Sequence, residues 1–422
     1  MFDYGVVLMT KLYSLSTVSL HKGTKRSLLH VQTLSERTQW GYASGFTLLE
    51  LMISLALGLV IAAAATMLFL TGQKSYVLQT GMSDLQDNAN FGLNYIAKDI
   101  RLTNLNVTTA QVNDETQYGG IVLTSSVNAT QTPSVAATPT TPAVAAVPLS
   151  NLYKTIEGGS AGINVLSRSH GMTAGTAPAW AGVSNVQQIG EDAEGNATGT
   201  DILSDQLTIQ FTPQYILDDK GTPVTNDDDW VGGFDCEGQE LRFRVENPGG
   251  NRPFGRQMVV QRYFLRADTN AGNEPNQPLA LACEAGFYAL TETGVTRVEG
   301  GAPSEVRGTA NFGASAGQII MKRVDHFRVQ LGVQNNNSYR YMSINDYMNI
   351  AAGSRPRILS VQIGALVRSN QAVGNDAMVS DDQTFQVLDQ HVKLKTSAAN
   401  APKYVREVVS QTIALRNTFG DR

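Results

Sequence analysis

The amino-acid sequence predicts an α+β fold in which one long N-terminal helix packs on an antiparallel β-sheet within a large, irregular β-rich head. Three observations support this prediction. Residues 46–70 are apolar apart from one charge. Apolar residues then recur every three or four positions as far as residue 102, as they do on one face of a helix. Beyond that point, short runs with period-two alternation are separated by Gly, Asn and Pro, a pattern typical of β-strands.

The apolar segment 46–70 is long enough to cross a membrane as a helix. A secretory signal would have a shorter apolar run with its small residues after it, whereas Ala43, Ser44 and Gly45 come before the run. Residues 1–45 carry a net charge of +3. The positive-inside rule therefore predicts a cytoplasmic segment 1–45, a transmembrane helix 46–70 and an external remainder.

The overall composition excludes one class of partner. The chain has a formal net charge of -5, so the part after residue 45 carries about -8. A negative head without a basic stripe argues against nucleic acid as the main partner. Only 16% of the residues are charged and 39 are Gly, which suits a β-rich protein outside the cytoplasm.

Glu50 is the one charged residue of the apolar segment. A carboxylate in hydrocarbon costs several kcal/mol unless it is paired or protonated. One interpretation is an interfacial Glu that reaches the membrane edge. The other requires a cation: if the chain is cut after Gly45, Phe46 gains a free α-amine one helical turn from Glu50, and the amine of one subunit could pair with Glu50 of its neighbour.

Residues 45–50, GFTLLE, resemble the prepilin signature, with Gly before the cut, Phe after it and Glu at the fifth mature position. The resemblance implies cleavage after Gly45 by a prepilin peptidase on the cytoplasmic face and N-methylation of Phe46. It also implies assembly into a filament through the apolar helix, with Glu50 as an assembly residue. The expected leader, 1–45, is longer than most prepilin leaders.

Four later segments are similar to PilW-type minor pilins, which are related to the J-type pseudopilin of type II secretion: 86–101, 235–238, 358–369 and 412–417. This resemblance implies a subunit that helps to initiate a type IV pilus at the bacterial inner membrane. The implied partners are other minor pilins, the major pilin and the inner-membrane assembly platform. Two alternatives stay open at this point: a J-type pseudopilin, and a membrane-anchored adhesin or enzyme whose signature match is accidental.

The head, residues 103–422, follows an amphipathic helix predicted over residues 71–102, in which Gly72, Gly81 and Gly92 are possible bends. The tract 127–148 is rich in Thr, Pro and Ala and predicts an exposed, poorly ordered loop. The period-two pattern predicts strands at 119–123, 206–211, 240–245, 258–265, 286–291, 319–333, 358–367 and 404–415.

The two cysteines, Cys236 and Cys283, are too far apart in sequence for a CxxC metal site. They form either one disulfide or two unrelated buried thiols. Because the membrane segment places the head outside the cytoplasm, we expect the disulfide.

The sequence predicts neither a catalytic site nor a metal or cofactor site. Two G-x-S-x-G matches, 158–162 and 313–317, lack the strand and helix that a nucleophile elbow needs. The histidines of the mature chain are scattered. The acidic residues around 226–229, with Asp218 and Asp219 nearby, lack the spacing of a calcium loop.

Overall fold

The computed structural model describes part of the chain: residues 45–125, 128–152, 155–156, 165–174, 180–191, 197–246, 254–269, 277–289, 305–306, 312–313, 315–373, 379–380, 382–395 and 401–419. The chain divides into two compact units, Met1–Ala65 and Thr66–Arg422. The leader expected at 1–45 lies outside the described residues except for Gly45.

The first helix, α1, spans Leu48–Ile100 and is continuous through Gly72, Gly81 and Gly92. It ends two residues before the predicted end, and Asn104 and Asn106 then adopt positive φ angles of 62° and 55°. Asn is among the few residues that adopt this left-handed conformation readily, so these positions fit the turns after the helix. The second helix, α2, is short and spans Ile344–Asn349. Single 3-10 turns occur at Thr225–Asp227 and Arg416–Thr418.

Nineteen strands make up the described part of the head. In chain order they are β1 (Thr130–Gln131), β2 (Pro148–Leu149), β3 (Thr155–Ile156), β4 (Val186–Glu191), β5 (Ala197–Asp201), β6 (Leu207–Phe211), β7 (Ile216–Asp218), β8 (Asp229–Phe234), β9 (Glu240–Arg244), β10 (Gln257–Ala267), β11 (Leu279–Ala289), β12 (Glu305–Val306), β13 (Gln318–Lys322), β14 (Val324–Asn335), β15 (Ser338–Ser343), β16 (Arg357–Arg368), β17 (Thr384–Val387), β18 (Gln390–Leu394) and β19 (Arg406–Ala414).

Three four-stranded antiparallel sheets form the body of the head. Their strand orders are β13-β11-β10-β6, β15-β14-β16-β19 and β17-β18-β4-β5. A three-stranded antiparallel sheet, β7-β8-β9, and two small pairs, β1-β2 and β12-β3, complete the described pairing. Only the pair β12-β3 is parallel among these strands. The predicted α+β class, with one long helix and a large antiparallel head, is confirmed.

The C-terminal half of α1 packs on two of these sheets. The apolar stripe of the predicted amphipathic helix is buried, and it belongs to one core cluster with side chains of β10, β11, β14 and β16. Its buried members are Leu85, Ala89, Leu93, Ile96, Ala97 and Ile100. Burial of each Leu or Ile side chain contributes about 1.5–3 kcal/mol, so this face is the main attachment of the helix to the head. Met82, which the pattern placed in the stripe, is 44% exposed.

Gly92 marks the closest approach between α1 and strand β13. A Cβ atom at this position would lie 2.8 Å from Cβ of Met321, which is inside van der Waals contact. One turn earlier, Asn88 donates from Nδ2 to the carbonyl of Lys322 at 2.8 Å. Gly92 therefore permits close packing of helix on strand, a role different from the bend that the sequence suggested.

The predicted strand 319–333 is two strands in different sheets. The break falls at Arg323, whose φ of 57° lies in the left-handed region that a continuous strand cannot contain. Strand β13 joins the sheet of β11, and β14 joins the sheet of β16.

Two other expectations need correction. Residues 119–123 form no strand, although Ile121 makes a single bridge to Ile209 of β6. The tract 127–148 is largely exposed as expected, but its described backbone is paired, with Val135 and Val144 exchanging hydrogen bonds at 2.9 Å. The tract therefore forms a short antiparallel pairing of its two halves, which its composition did not predict.

Candidate functional site

The segment before α1 lies outside any helix or strand and is exposed. Gly45, Phe46 and Thr47 precede the first helical residue, and the Phe46 side chain is 82% exposed. A Cβ atom built on Gly45 would meet nothing within 4 Å. Packing among the described residues therefore gives no reason for a glycine at this position.

Thr47 is the N-cap residue of α1. Its carbonyl accepts the first helical hydrogen bond, from the Leu51 amide at 3.1 Å. Its Oγ1 atom accepts from the Glu50 amide at 3.2 Å, which satisfies one of the free N–H groups at the start of the helix. Our sequence analysis did not identify this role, although the T-x-x-E spacing of Thr47 and Glu50 is the pattern of a capping box.

Glu50 lies at the third position of the helix with its carboxylate free. It is exposed, and it forms no hydrogen bond or ion pair through its carboxylate with any residue that the structure describes. Its helical neighbours are exposed apolar side chains, among them Leu49 at 67% and Leu51 at 61%. A lone carboxylate on an apolar helix surface can bind one cation if that surface becomes buried.

The N-terminal part of α1 has the properties of a membrane segment. Within the described part of the chain, α1 is the one helix long and apolar enough to cross a bilayer, judged by length and composition. None of the residues in its most apolar stretch is buried by the described part of the chain. The helix thus carries Glu50 in a surface that water would solvate poorly.

Cys236 and Cys283 form a disulfide in the head, with their Cα atoms 6.1 Å apart. The bond joins the turn between β8 and β9 to the middle of β11, and both residues are buried. The Tyr95 hydroxyl of α1 donates to the Cys236 carbonyl at 3.0 Å, so the disulfide-bonded turn is also attached to the helix.

Carboxyl groups surround this attachment. Asp99 of α1 is buried and accepts from the Tyr263 hydroxyl at 2.8 Å. Burial raises the pKa of the Asp99 carboxyl, although the Tyr263 hydrogen bond opposes the shift. Burial likewise raises the pKa of Asp235 and of Glu237, which flank Cys236. The contact between helix and head therefore depends on pH, and it is weakened when these carboxyl groups lose their protons.

The acidic cluster around 226–229 is an ion-pair network in which Lys220 supplies the central cation. Its Nζ atom lies 2.9 Å from the Asp229 carboxylate and donates to the Asp227 carbonyl. Arg242 pairs with Asp218 at 2.6 Å and with Asp229 at 3.3 Å. These contacts occupy the carboxylates of Asp218 and Asp229, two of the acidic residues of the cluster.

The described part of the second G-x-S-x-G match, at 313–317, is an anchored loop. The Gly313 and Ser315 amides donate to the Glu284 carboxylate, and Glu284 forms a buried ion pair with Arg262, its direct neighbour across strands β10 and β11. The loop leads into strand β13 and has no helix after it, so it is not a nucleophile elbow. The first match, at 158–162, lies outside the described residues.

His326 makes two Ser–His contacts that sequence analysis did not anticipate. Its Nδ1 atom lies 3.0 Å from Ser184 Oγ and 3.1 Å from Ser204 Oγ, and its Nε2 atom lies 2.8 Å from Gln390 Oε1. Burial lowers the pKa of His326 to about 4. Because the imidazole is fully buried, a substrate cannot reach it, and the contacts join strand β14 to β18 and to the segment before β4.

Comparisons with known proteins match two regions of the chain to family models. A family model described as Type IV Pilus-assembly protein W matches residues 294–417, and a model of the prokaryotic N-terminal methylation motif matches residues 40–66. Among solved structures, a type IV-like pilin from Thermus thermophilus matches with 15% identity and a TM-score of 0.18, over 48% of this chain and 82% of that chain. At so low a score the fold is assigned from the chain's own helix and sheets. None of the curated proteins compared with the chain matches it.

Proposed function

We propose that this chain, which is a type IV pilin-like protein with a PilW-type region and a prepilin methylation motif, is a minor pilin that helps to initiate a type IV pilus. It is made as a precursor, cut after Gly45 and methylated on Phe46. It then enters the filament through helix α1. The observation that carries the proposal is the free, exposed carboxylate of Glu50 on an apolar helix, four residues after Phe46.

Processing follows from the exposure of the cleavage segment. The peptide bond between Gly45 and Phe46 lies outside α1 and is not covered by other described residues. A prepilin peptidase at the cytoplasmic face could therefore bind this backbone. The leader 1–45, with its excess of basic residues, stays in the cytoplasm, and the head lies in the periplasm.

Assembly is a matter of pairing and packing. After cleavage, the α-amine of Phe46 is the cation nearest in sequence to Glu50, and in a bundle of such helices the amine of one subunit can neutralise Glu50 of the next. That pair would fix the axial position of each helix against its neighbours. The partners are accordingly the major pilin, other minor pilins, the prepilin peptidase and the inner-membrane assembly platform.

The test begins with the N-terminus of the mature protein. Mass spectrometry of membrane fractions should find methylated Phe46, and a tagged chain should be present in pili sheared from the cells. Gly45→Val should leave a full-length precursor that is absent from pili. Since the space around Gly45 is open, the new side chain clashes with nothing in the described chain and its effect is on the peptidase. A mature N-terminus at another residue would contradict the proposal.

A further inference from the structure

We infer that Thr47 is a positioning residue for precursor cleavage: its hydroxyl starts helix α1 at Leu48 and so keeps the bond between Gly45 and Phe46 outside the helix. The inference rests on the proposed function, since it concerns how the precursor is presented to its peptidase.

The start of the helix depends on local hydrogen bonds. Thr47 makes both contacts of an N-cap residue, through its carbonyl to the Leu51 amide and through Oγ1 to the Glu50 amide. Among the described residues no packing competes with them, because Gly45 has open space around it and Phe46 is exposed. Where tertiary contacts are absent, the capping hydroxyl is the main term that decides which residue begins the helix.

The position of the helix start decides whether the bond can be cut. Within a helix, the backbone groups on both sides of a peptide bond are hydrogen-bonded and covered by side chains. A peptidase therefore acts on the fraction of molecules in which the bond is open, and its rate follows that fraction when opening is fast. In the precursor, Ala43 and Ser44 precede Gly45 and would tolerate a helix, so without the cap α1 could extend across the bond.

Thr47 places the start of helix α1 close to the bond between Gly45 and Phe46 but leaves that bond outside the helix. It is the second residue after the bond, and the residue that follows it is the first helical one. An N-cap residue lies outside the helix, so the bond is followed by two non-helical residues, Phe46 and Thr47, before the helix begins. The side chain of Thr47 thus acts on cleavage through the backbone.

Two substitutions separate the hydroxyl from the shape of Thr47. Thr47→Val keeps the branched shape and removes the acceptor, whereas Thr47→Ser removes the methyl group and keeps the acceptor. Thr47→Asn provides a strong cap with a different shape. Ser54→Ala is a matched control, because the Ser54 hydroxyl donates to the Glu50 carbonyl inside the helix and takes no part in the cap.

The experiment measures the initial rate of precursor cleavage by pulse-chase in cells that contain the peptidase, normalised to the amount of membrane-inserted precursor. We expect Thr47→Val to be cleaved about 2- to 30-fold more slowly than the unaltered chain, the range given by loss of an N-cap. Thr47→Ser, Thr47→Asn and Ser54→Ala should be cleaved within about twofold of it. A helix that begins at Leu48 offers the Leu49 amide no acceptor one turn earlier, whereas a helix that extends across the bond does. In detergent, the Leu49 amide should therefore exchange its hydrogen more slowly in Thr47→Val.

The outcomes distinguish the role of Thr47 from the proposed function. Cleavage of Thr47→Val at the normal rate, or unchanged exchange at Leu49, would overturn the role of the cap. Slow cleavage of Thr47→Ser together with normal cleavage of Thr47→Val would overturn it too, since the peptidase would then recognise the methyl group. An unaltered chain that is never cut after Gly45 overturns the proposed function itself, whatever the variants do.

Discussion

Replacement of Glu50 by Ala separates a filament subunit from a protein that is only anchored. In the structure the carboxylate has no partner among the described residues, and it is the one charge in an exposed apolar surface. If that surface becomes the interior of a filament, removal of Glu50 leaves the α-amine of a neighbour buried and unpaired. Loss of one partner from a buried ion pair costs about 3–5 kcal/mol, which corresponds to roughly a hundred- to several-thousand-fold in the assembly equilibrium.

The substitution should leave the earlier steps intact. The helix cap uses the backbone amide of Glu50, so Glu50→Ala keeps the hydrogen bond to Thr47 and the start of α1. An apolar residue also inserts into a membrane more readily than a carboxylate. We therefore expect normal cleavage and normal membrane levels, with incorporation reduced to a small fraction of the unaltered level.

The assay compares the amount of tagged chain in sheared pili with the amount in membranes, in a strain whose only copy carries the substitution. Asp84→Ala is the matched control, since Asp84 is an exposed carboxylate farther along the same helix. Normal incorporation of Glu50→Ala at a normal protein level would refute the pairing of Glu50 with an amine. A block before cleavage would refute the claim that the carboxylate acts only in assembly.

Three further predictions concern the stability of the head. Cys236 and Cys283 should resist alkylation in the native protein, because they form a disulfide. Replacing both by Ala should lower the free energy of unfolding in urea by about 4 kcal/mol. Free thiols in the native protein would contradict the disulfide. Gly92→Ala should lower the free energy of unfolding by about 1–3 kcal/mol, because the new methyl group would meet Met321. Gly72→Ala is the control: its Cβ has open space, so the free energy of unfolding should stay the same or rise. Equal effects of the two substitutions would rule out close packing at Gly92. Burial raises the pKa of Asp99, so the folded state binds the carboxyl proton more tightly than the unfolded state does. The free energy of unfolding should therefore fall as the pH rises from 3.8 through the raised pKa. Urea unfolding across this pH range should show no such fall from this residue in Asp99→Asn.

Features that depend on neighbouring residues could be predicted from the sequence. The apolar run that includes Glu50 and the stripe that continues it required only composition and helical spacing, and the structure has one helix over Leu48–Ile100. Strands such as β6, β9 and β16 matched their alternating patterns within a few residues. The cap at Thr47 was also present in the sequence as T-x-x-E, but the pattern was interpreted only as part of the prepilin signature.

Features that depend on distant residues were settled by the tertiary structure alone. The third sheet pairs β4 with β18, about two hundred positions farther along the chain, and each strand alone is too short and too polar to indicate a partner. Arg323 gives no local sign that it separates two sheets, because its positive φ is imposed by the strands on either side. The buried pair of Arg262 and Glu284 is likewise visible only once β10 and β11 lie in register. Local patterns report which backbone conformation a segment prefers, whereas the choice of partner is a free-energy difference among contacts that exist only in the folded chain.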